Sequence, residues 1–405
     1  MGRYQINNNI MKKLLLCILA VFILVPLSAQ KMKLTKAEKR TLASAEISDF
    51  QLERILTKFP RPVGKNAFKE SHGKGPVIYF AVLVTADGQQ GIGQVLKAKV
   101  NKDNLHQFKA MTCGKKITDL LDEDTFLVKP EYRDFDIAVY DLVGVMLNKP
   151  VYKLFGKPAS HSVHYYTGMT YFDDLDKDNR EDGMKYLLDN CRYDYSLGYR
   201  AFKAKIGRGD KWMEREEGLQ RDIDVVRMIH ENFPDCTILV DANNAYSVEE
   251  CIRFIEGVAP AKIFWFEEPF HENEAQYREL SEWKKKNAPE MLLVDGEFKP
   301  DRDLVIGLGE KGVLDTYNED ICDYGFTNWI ELMPRLLKAG MNASPHGWAM
   351  QSKSIYASHF AMAFGHVPTI EGVTNFTDKL DWGFTIENGF FIPSEKPGFG
   401  ITLKK

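Results

Sequence analysis

The second half of the chain alternates two hydrophobic patterns. From about Ser162 onward, short apolar runs rich in β-branched and aromatic residues alternate with amphipathic stretches at helical spacing. This alternation predicts βα units around a parallel sheet, and eight parallel strands are enough to close a barrel. The predicted strands are Ser162 to Met169, Ala201 to Ile206, Cys236 to Asp241, Ile263 to Glu267, Leu292 to Glu297, Leu314 to Ile321, Met341 to His346 and Thr369 to Glu371.

Helices are predicted between these strands. Several begin after Ser or Asn, whose side chains accept hydrogen bonds from the free amides of a first helical turn. Gly340 and Gly365 are expected to end two of them. The clearest helices are Gly218 to Phe233, Ser247 to Val258, Glu274 to Lys286 and Asn328 to Ala339.

The segment before the barrel has a different pattern. A hairpin-like pair, Val77 to Thr85 and Gly91 to Val100, is joined by the turn signal Asp87-Gly88, and helical segments follow. This pattern predicts a separate α+β domain over residues 31–157, ahead of a barrel over residues 158–377. The tail, residues 378–405, has no barrel unit of its own and is expected to pack back against the first domain.

The N-terminus has the layout of a secretory signal peptide. Lys12 and Lys13 precede the apolar run Leu14 to Val25, and small residues follow around Ala29. The run is short for a membrane span, so residues 11–30 are predicted to be a cleaved signal, with residues 1–10 ahead of it. We therefore expect export to the periplasm or the exterior, with no stable membrane span afterwards. A buried helix is the alternative.

Composition and charge exclude some classes of function. The chain of 405 residues is 44% hydrophobic and 27% charged, which is ordinary for a globular protein with a large core. Binding to nucleic-acid phosphates requires an excess of basic side chains, but the formal net charge of the chain is −4. No nucleic-acid partner is therefore expected. The cysteines after the signal are few and scattered, which favours packing roles over a disulfide framework or a zinc site.

Ionisable side chains end most of the predicted strands. The carboxyl ends of all strands in a β/α barrel open onto one face, so these side chains are expected to converge. Successive members from Asp241 onward are separated by about one βα unit. The set consists of Lys203, Lys205, Asp241, Glu267, Glu297, Asp320, His346 and Glu371.

Three of these carboxylates, Asp241, Glu267 and Glu297, end adjacent strands and predict a metal site. An oxygen-only set suits Mg²⁺ or a similar hard cation that keeps positions open for substrate oxygens. Glu268 follows Glu267 directly and is expected to point to the opposite face of the strand, so it is left out of the ligand set.

Two further groups suggest acid and base chemistry. Lys203 and Lys205 lie two residues apart in a predicted strand, so both point to the same face. Burial of unpaired ammonium groups there would lower the lysine pKa and make a base. Two solvated lysines on an edge strand are the alternative. His346 lies one strand after Asp320, and a carboxylate beside an imidazole is a usual arrangement for a general acid or base.

These motifs, in this order, resemble the enolase superfamily, and within it the mandelate racemase subgroup. The resemblance covers nearly all of Ile47 to Leu403. Ahead of the barrel it includes Phe135 to Leu142 and Pro150 to Gly156. In the barrel it rests on Lys203-Ala204-Lys205, Val240-Asp241-Ala242-Asn243, Phe266-Glu267-Glu268-Pro269, Asp295-Gly296-Glu297, Asp320 and His346.

The resemblance implies a (β/α)7β modified TIM barrel with an α+β capping domain, bound Mg²⁺ and a carboxylate substrate that loses its α-proton. It implies that Lys205 is the base on one face and that Lys203 is an electrophilic partner of the substrate carboxylate. His346, oriented by Asp320, would be the acid or base on the other face, and Glu371 would hydrogen-bond a carboxylate oxygen. Barrels of this family commonly assemble, so a homo-oligomer is expected.

The sequence departs from the family at two positions and leaves one loop open. Glu319 stands where the family often has proline, and Phe326 where a second glycine is common. The polar segment Arg61 to Lys74 is expected, by analogy, to cover the site from the capping domain. It offers side chains such as Lys65, Lys69, Glu70 and His72 to a hydroxylated ligand, although a solvated loop is equally compatible.

Three functions are compatible with these residues. The leading hypothesis is a sugar-acid dehydratase, with proton abstraction at C2 and loss of the C3 hydroxyl to give a 2-keto-3-deoxy acid. A racemase or epimerase would use the same opposed bases to exchange the α-proton. A non-catalytic, metal-dependent sugar-acid binder is a third class, but it would have no need of a base.

Overall fold

The computed structural model describes residues 31–175 and 182–404. The predicted signal segment, residues 11–30, and the residues before it lie outside the described residues, so export stays a prediction. Within the described part of the chain, no helix is both long and apolar enough to cross a membrane.

The N-terminal part forms an antiparallel sheet covered by helices. Its strands are β1 Ile47–Leu56, β2 Val77–Thr85 and β3 Gln90–Val95, in the order β1-β2-β3. The helices are α1 Lys36–Ser44, α2 Leu105–Thr112 and α3 Asp136–Met146. Helix α3 crosses β3 so closely that a Cβ at Gly93 would lie 2.2 Å from the amide nitrogen of Ala138. Glycine at this position therefore permits the packing.

Eight parallel strands form the barrel, and the predicted α/β fold class is confirmed. Strands β4 to β10 pair in sequence order, and β11 pairs with β4. The strands are β4 Val163–Thr170, β5 Ala201–Lys205, β6 Thr237–Asp241, β7 Ile263–Glu267, β8 Leu292–Asp295, β9 Thr316–Tyr317, β10 Asn342–Ala343 and β11 Ile370–Gly372. The intervening helices are α4 Gly183–Ser196, α5 Arg208–Lys211, α6 Arg215–Asn232, α7 Val248–Gly257, α8 Glu274–Asn287, α9 Arg302–Glu310, α10 Ile321–Tyr324, α11 Phe326–Lys338 and α12 Gln351–Phe364.

Apolar side chains fill the barrel directly below the ionisable ones. Ala201, Leu239 and Trp265 each precede an ionisable residue of the same strand by two positions, so both point inward. Tyr166 and Val294 complete this layer. The barrel interior is therefore closed by a packed apolar layer, and the ionisable side chains lie next to this layer at one end of the barrel.

Two barrel strands are much shorter than predicted, with two residues each. The sixth was expected over Leu314 to Ile321 but pairs only at Thr316–Tyr317, and the seventh over Met341 to His346 but pairs only at Asn342–Ala343. The side chain of Asp320 accepts hydrogen bonds from the amides of Cys322 and Asp323, which begins α10 and ends the extended backbone. The ionisable residues of these strands therefore stand on the segments that follow them.

The C-terminal tail contacts both parts of the chain. It contains β12 Leu380–Asp381, β13 Phe384–Glu387, β14 Phe390–Pro393 and β15 Thr402–Leu403. Strand β14 pairs antiparallel with the start of β4. The carboxylate of Asp141 in α3 accepts hydrogen bonds from the amides of Phe399 at 2.6 Å and Ile92 at 2.7 Å. This buried carboxylate joins the tail to the first sheet.

Asp141 should make stability depend on pH. Burial raises the pKa of its carboxyl to about 7, above its ordinary range. The folded state therefore binds this proton more tightly than the unfolded state, and the stability gained at low pH is lost as pH rises through about 7. We expect the unfolding free energy of the wild type, minus that of Asp141→Asn, to fall by more than about 1 kcal/mol between about pH 5 and 8 in urea titrations. A pH-independent difference would contradict this assignment.

Candidate active site

The structure brings all eight predicted ionisable residues together at the carboxyl end of the barrel. Lys203, Lys205, Asp241 and Glu267 lie within strands β5 to β7, and Glu371 lies in β11. The other three stand on the segments after β8, β9 and β10: Glu297, Asp320 and His346. Lys203, Asp241, Glu267 and Glu371 are almost fully buried.

The three predicted metal ligands form a carboxylate triad. One oxygen from each of Asp241, Glu267 and Glu297 lies within 4.8 Å of the others. Glu297 reaches this position because Gly296, at φ +114°, takes a backbone conformation that side chains disfavour. The Oε2 atom of Glu297 is buried and has no hydrogen-bond donor. A converging, oxygen-only set with a donorless buried oxygen fits a divalent cation.

Glu268 stays outside the triad, but it is not on the opposite face of a continuing strand. Its φ of +41° turns the chain immediately after β7. The carboxylate is buried and accepts a hydrogen bond from Nδ2 of Asn243 at 3.1 Å. Burial, together with the nearby Glu297 and Asp241, raises its pKa well above the ordinary range.

Both lysines are paired, which corrects the expected direction of their pKa. Nζ of Lys203 lies 2.9 Å from Oε2 of Glu267 and 3.1 Å from Oε1 of Glu371, and Lys205 contacts Asp241. Burial lowers the pKa of both ammonium groups, but these carboxylates outweigh it and raise both values above the ordinary lysine range. The prediction of a lowered pKa was wrong because it assumed unpaired lysines.

Asp320 and His346 form a dyad between neighbouring segments. Their backbones make an isolated parallel bridge, and Nδ1 of His346 lies 3.3 Å from Oδ2 of Asp320. Nε2 of His346 faces Oε2 of Glu371 at 3.1 Å and Oε1 of Glu297 at 3.4 Å. Burial opposes the charge on the imidazole, but Glu297, Glu371 and Asp320 raise its pKa well above the ordinary value.

Glu371 lies between the lysine strand and the histidine. Burial disfavours its ionisation, but Lys203 and His346 outweigh burial and lower its pKa to about 2. Strand β4 passes so near that a Cβ at Gly168 would lie 2.2 Å from Oε1 of Glu371. Glycine at 168 therefore leaves the space in which this carboxylate stands.

Two residues that the sequence reasoning missed hold Glu267 in place. Nε1 of Trp265 donates to Oε2 of Glu267 at 2.8 Å, and Nδ2 of Asn318 donates to Oε1 at 3.1 Å. Trp265 shares the inward face of β7 with Glu267, so strand alternation could have found it. Asn318 follows β9, and nothing in its local pattern distinguishes it from a loop residue.

The segment Arg61 to Lys74 packs against the barrel beside this site. Arg61 makes two hydrogen bonds of 2.9 Å to the carboxylate of Asp194 in α4. The ring of His72 lies 4.6 Å from that of Tyr171, and the Tyr171 ring lies 5.5 Å from Nζ of Lys205. Of the other polar side chains named in this segment, Lys65 lies over the ring of Trp212, and Lys69 and Glu70 are exposed.

Both departures from the family pattern make local contacts. The carboxylate of Glu319 accepts hydrogen bonds from Arg302 and from the hydroxyl of Tyr317. Phe326 is buried and makes an edge contact with the ring of Phe360. Neither change displaces Asp320 from the dyad.

The barrel portion matches a known family. Residues 187–405, more than half of the chain, match the model described as enolase C-terminal domain-like. The chain belongs to this family. Membership confirms the resemblance to the enolase superfamily and agrees with a barrel whose strand ends hold the ionisable residues.

Relatives of this enolase-like chain include enzymes that act on acid sugars. An arabinonate dehydratase of Saccharolobus solfataricus is 27% identical over 275 residues, which span 66% of this chain and 68% of that protein. A galacturonate dehydratase from Geobacillus sp., solved with D-galacturonate and 5-keto-4-deoxy-D-galacturonate, superposes with a TM-score of 0.82 at 29% identity, covering 89% of this chain and 95% of that one.

A second solved structure links the fold to a metal. It is a mandelate racemase/muconate lactonizing protein from Geobacillus sp. Y412MC10 in complex with magnesium and tartrate. Its TM-score is 0.82 at 29% identity, covering 90% of this chain and 94% of that one. The capped barrel is therefore shared along nearly the whole described chain.

Proposed function

We propose that this chain is a Mg²⁺-dependent dehydratase of acid sugars. The observation that supports it best is the placement of two proton-transfer groups around the triad. Lys205 contacts Asp241 at one end of the triad, and His346 contacts Glu297 at the other. A carboxylate substrate bound between them would meet a base on one side and an acid on the other.

Asp241, Glu267 and Glu297 are the residues that would hold the cation. When bound, Mg²⁺ would supply positive charge to the substrate carboxylate. It would also offset the negative charge of the protein carboxylates that raise the pKa of the lysines. Lys203, fixed between Glu267 and Glu371, adds a second positive charge beside the position of the developing enediolate.

The chain's own residues account for the proton movements of a dehydration. Lys205, as a neutral amine, takes the proton from C2, and the electron pair of that bond enters the enediolate. His346 donates a proton to the C3 hydroxyl, and the C3–O bond breaks to release water. The electron pair of the enediolate forms the C2=C3 bond of an enol, which takes up a proton at C3 and gives up the proton of its C2 hydroxyl to become the 2-keto-3-deoxy acid.

The comparisons support an acid sugar as substrate. The arabinonate and galacturonate dehydratases both act on polyhydroxylated carboxylates, and the latter was solved with its 4-deoxy-5-keto compound. In that compound too, the keto group is next to the carboxylate and the deoxygenated carbon is one further along. The same two-step chemistry therefore serves aldonic and uronic acids, depending on which end carries the carboxylate.

The test is a panel of aldonic and uronic acids incubated with the enzyme and MgCl₂ in D₂O. We expect one or a few members to yield an α-keto, β-deoxy acid, detected by its semicarbazone absorbance and by mass spectrometry. Deuterium at the α-carbon with inverted configuration and no keto acid would overturn dehydration in favour of epimerisation. Saturable binding with neither exchange nor product would indicate the non-catalytic binder.

A further inference from the structure

A lysine outside the family's motif residues reaches the catalytic dyad. Lys353 lies in the first turn of α12, and its Nζ is 2.6 Å from Oδ2 of Asp320. The side chain of Lys353 is 11% exposed and that of Asp320 is 6% exposed. The pair is therefore largely shielded from water, where such contacts are stronger than at a surface.

The four hydrogen-bond donors around Asp320 show what Lys353 adds. The Oδ1 atom accepts from the backbone amides of Cys322 at 2.9 Å and Asp323 at 3.0 Å. The Oδ2 atom faces Lys353 at 2.6 Å and Nδ1 of His346 at 3.3 Å. Lys353 therefore makes the shorter contact to the same oxygen that orients the imidazole.

The turn that bears Lys353 is itself held by the first domain. Oγ of Ser352 donates to Oε1 of Gln94 at the end of β3, and the hydroxyl of Tyr356 accepts from the backbone amide of Gln94 at 3.0 Å. On the barrel side, the backbone amide of Gln351 donates to Oδ1 of Asn375 at 2.7 Å. The Lys353 ammonium is thus delivered to Asp320 from a turn fixed at both ends.

We propose that Lys353 is a positioning residue for the reaction. It anchors Oδ2 of Asp320, so that the carboxylate keeps the imidazole of His346 aimed between Glu371 and Glu297 throughout turnover. The ion pair of Lys353 is with Asp320, whereas Lys205 pairs with Asp241. Loss of Lys353 therefore disturbs the proton transfer assigned to His346 and spares the one assigned to Lys205. This inference rests on the proposed function for its kinetic consequences only.

The kinetic test compares Lys353→Met, Lys353→Arg and the wild type with MgCl₂ and the acid sugar found in the panel. We expect Lys353→Met to lower kcat for dehydration by about 10- to 100-fold with KM within about twofold, because a displaced catalytic group costs rate more than binding. Exchange of the α-proton in D₂O should persist, and Lys353→Arg should recover part of kcat. Equal loss of exchange and dehydration would overturn the assignment.

Lys284→Met is the matched control, because Lys284 is a buried lysine paired with Asp315 on the outer side of the barrel. It should lose stability comparably without the split between exchange and dehydration. A second measurement needs no substrate: the imidazole ¹⁵N resonances of His346 in ¹⁵N-histidine-labelled enzyme, assigned with His346→Gln. These resonances should shift in Lys353→Met and not in Lys284→Met. Unchanged resonances would refute the role of Lys353, whether or not any acid sugar is turned over. Absence of turnover with every acid sugar would refute the proposed function and not the role of Lys353.

Discussion

Replacing Lys205 with arginine should abolish both α-proton exchange and keto-acid formation. A guanidinium keeps the positive charge beside Asp241 but does not give up its proton near neutral pH, so it cannot act as a base. We expect kcat/KM to fall by at least about 10³-fold, near the upper range for loss of a general base.

His346→Gln should lower the rate of dehydration by about 10²- to 10⁴-fold while exchange of the α-proton at the Lys205 side continues.

The two variants together test the assignment of roles. Thermal unfolding would show whether each variant keeps its fold, and the Lys284→Met variant again reports the cost of removing a buried lysine elsewhere. Turnover by Lys205→Arg within tenfold of the wild type would refute Lys205 as the base. Loss of exchange in His346→Gln, with turnover intact in Lys205→Arg, would reverse the roles of the two residues.

Much of the site could be predicted because barrel geometry turns sequence spacing into proximity. Asp241 and Glu267 end strands that have clear apolar patterns, and their inward direction follows from alternation. Glu297 and His346 also lie at this end of the barrel, although both stand after their strands and not at the strand ends where they were predicted. The periodicity of βα units tolerates a shift of two or three residues, because every such segment still opens onto the same end of the barrel.

The remaining features depend on contacts between distant segments. Strand β1, Ile47–Leu56, has no strict alternation of apolar and polar residues, and its pairing with β2 defines it. The charge state of Lys203 depends on Glu267 and Glu371, which local sequence does not show to be its partners. Lys353 is 33 residues from Asp320, and only the fold brings the two together.

Removing one carboxylate of the triad should abolish the response of the protein to Mg²⁺. Glu297→Gln deletes the negative charge of the ligand whose Oε2 has no hydrogen-bond donor, so the variant loses affinity for the cation, while Nε2 of His346 keeps its contact with Glu371. In the wild type, Mg²⁺ at about 100 times its Kd should stabilise the folded state by about 2–3 kcal/mol. We expect this gain to disappear in Glu297→Gln, and turnover to fall to background.

Differential scanning fluorimetry with MgCl₂ against EDTA measures this gain directly. Glu250→Gln is a suitable control, because Glu250 is a mostly buried carboxylate paired with Arg215 and lies outside the triad. We expect that variant to be less stable in both buffers and to keep the full difference between them. An equal Mg²⁺-dependent shift in Glu297→Gln and wild type would place the cation elsewhere, because the stabilisation by a ligand that binds only the folded state grows with its affinity for the intact site.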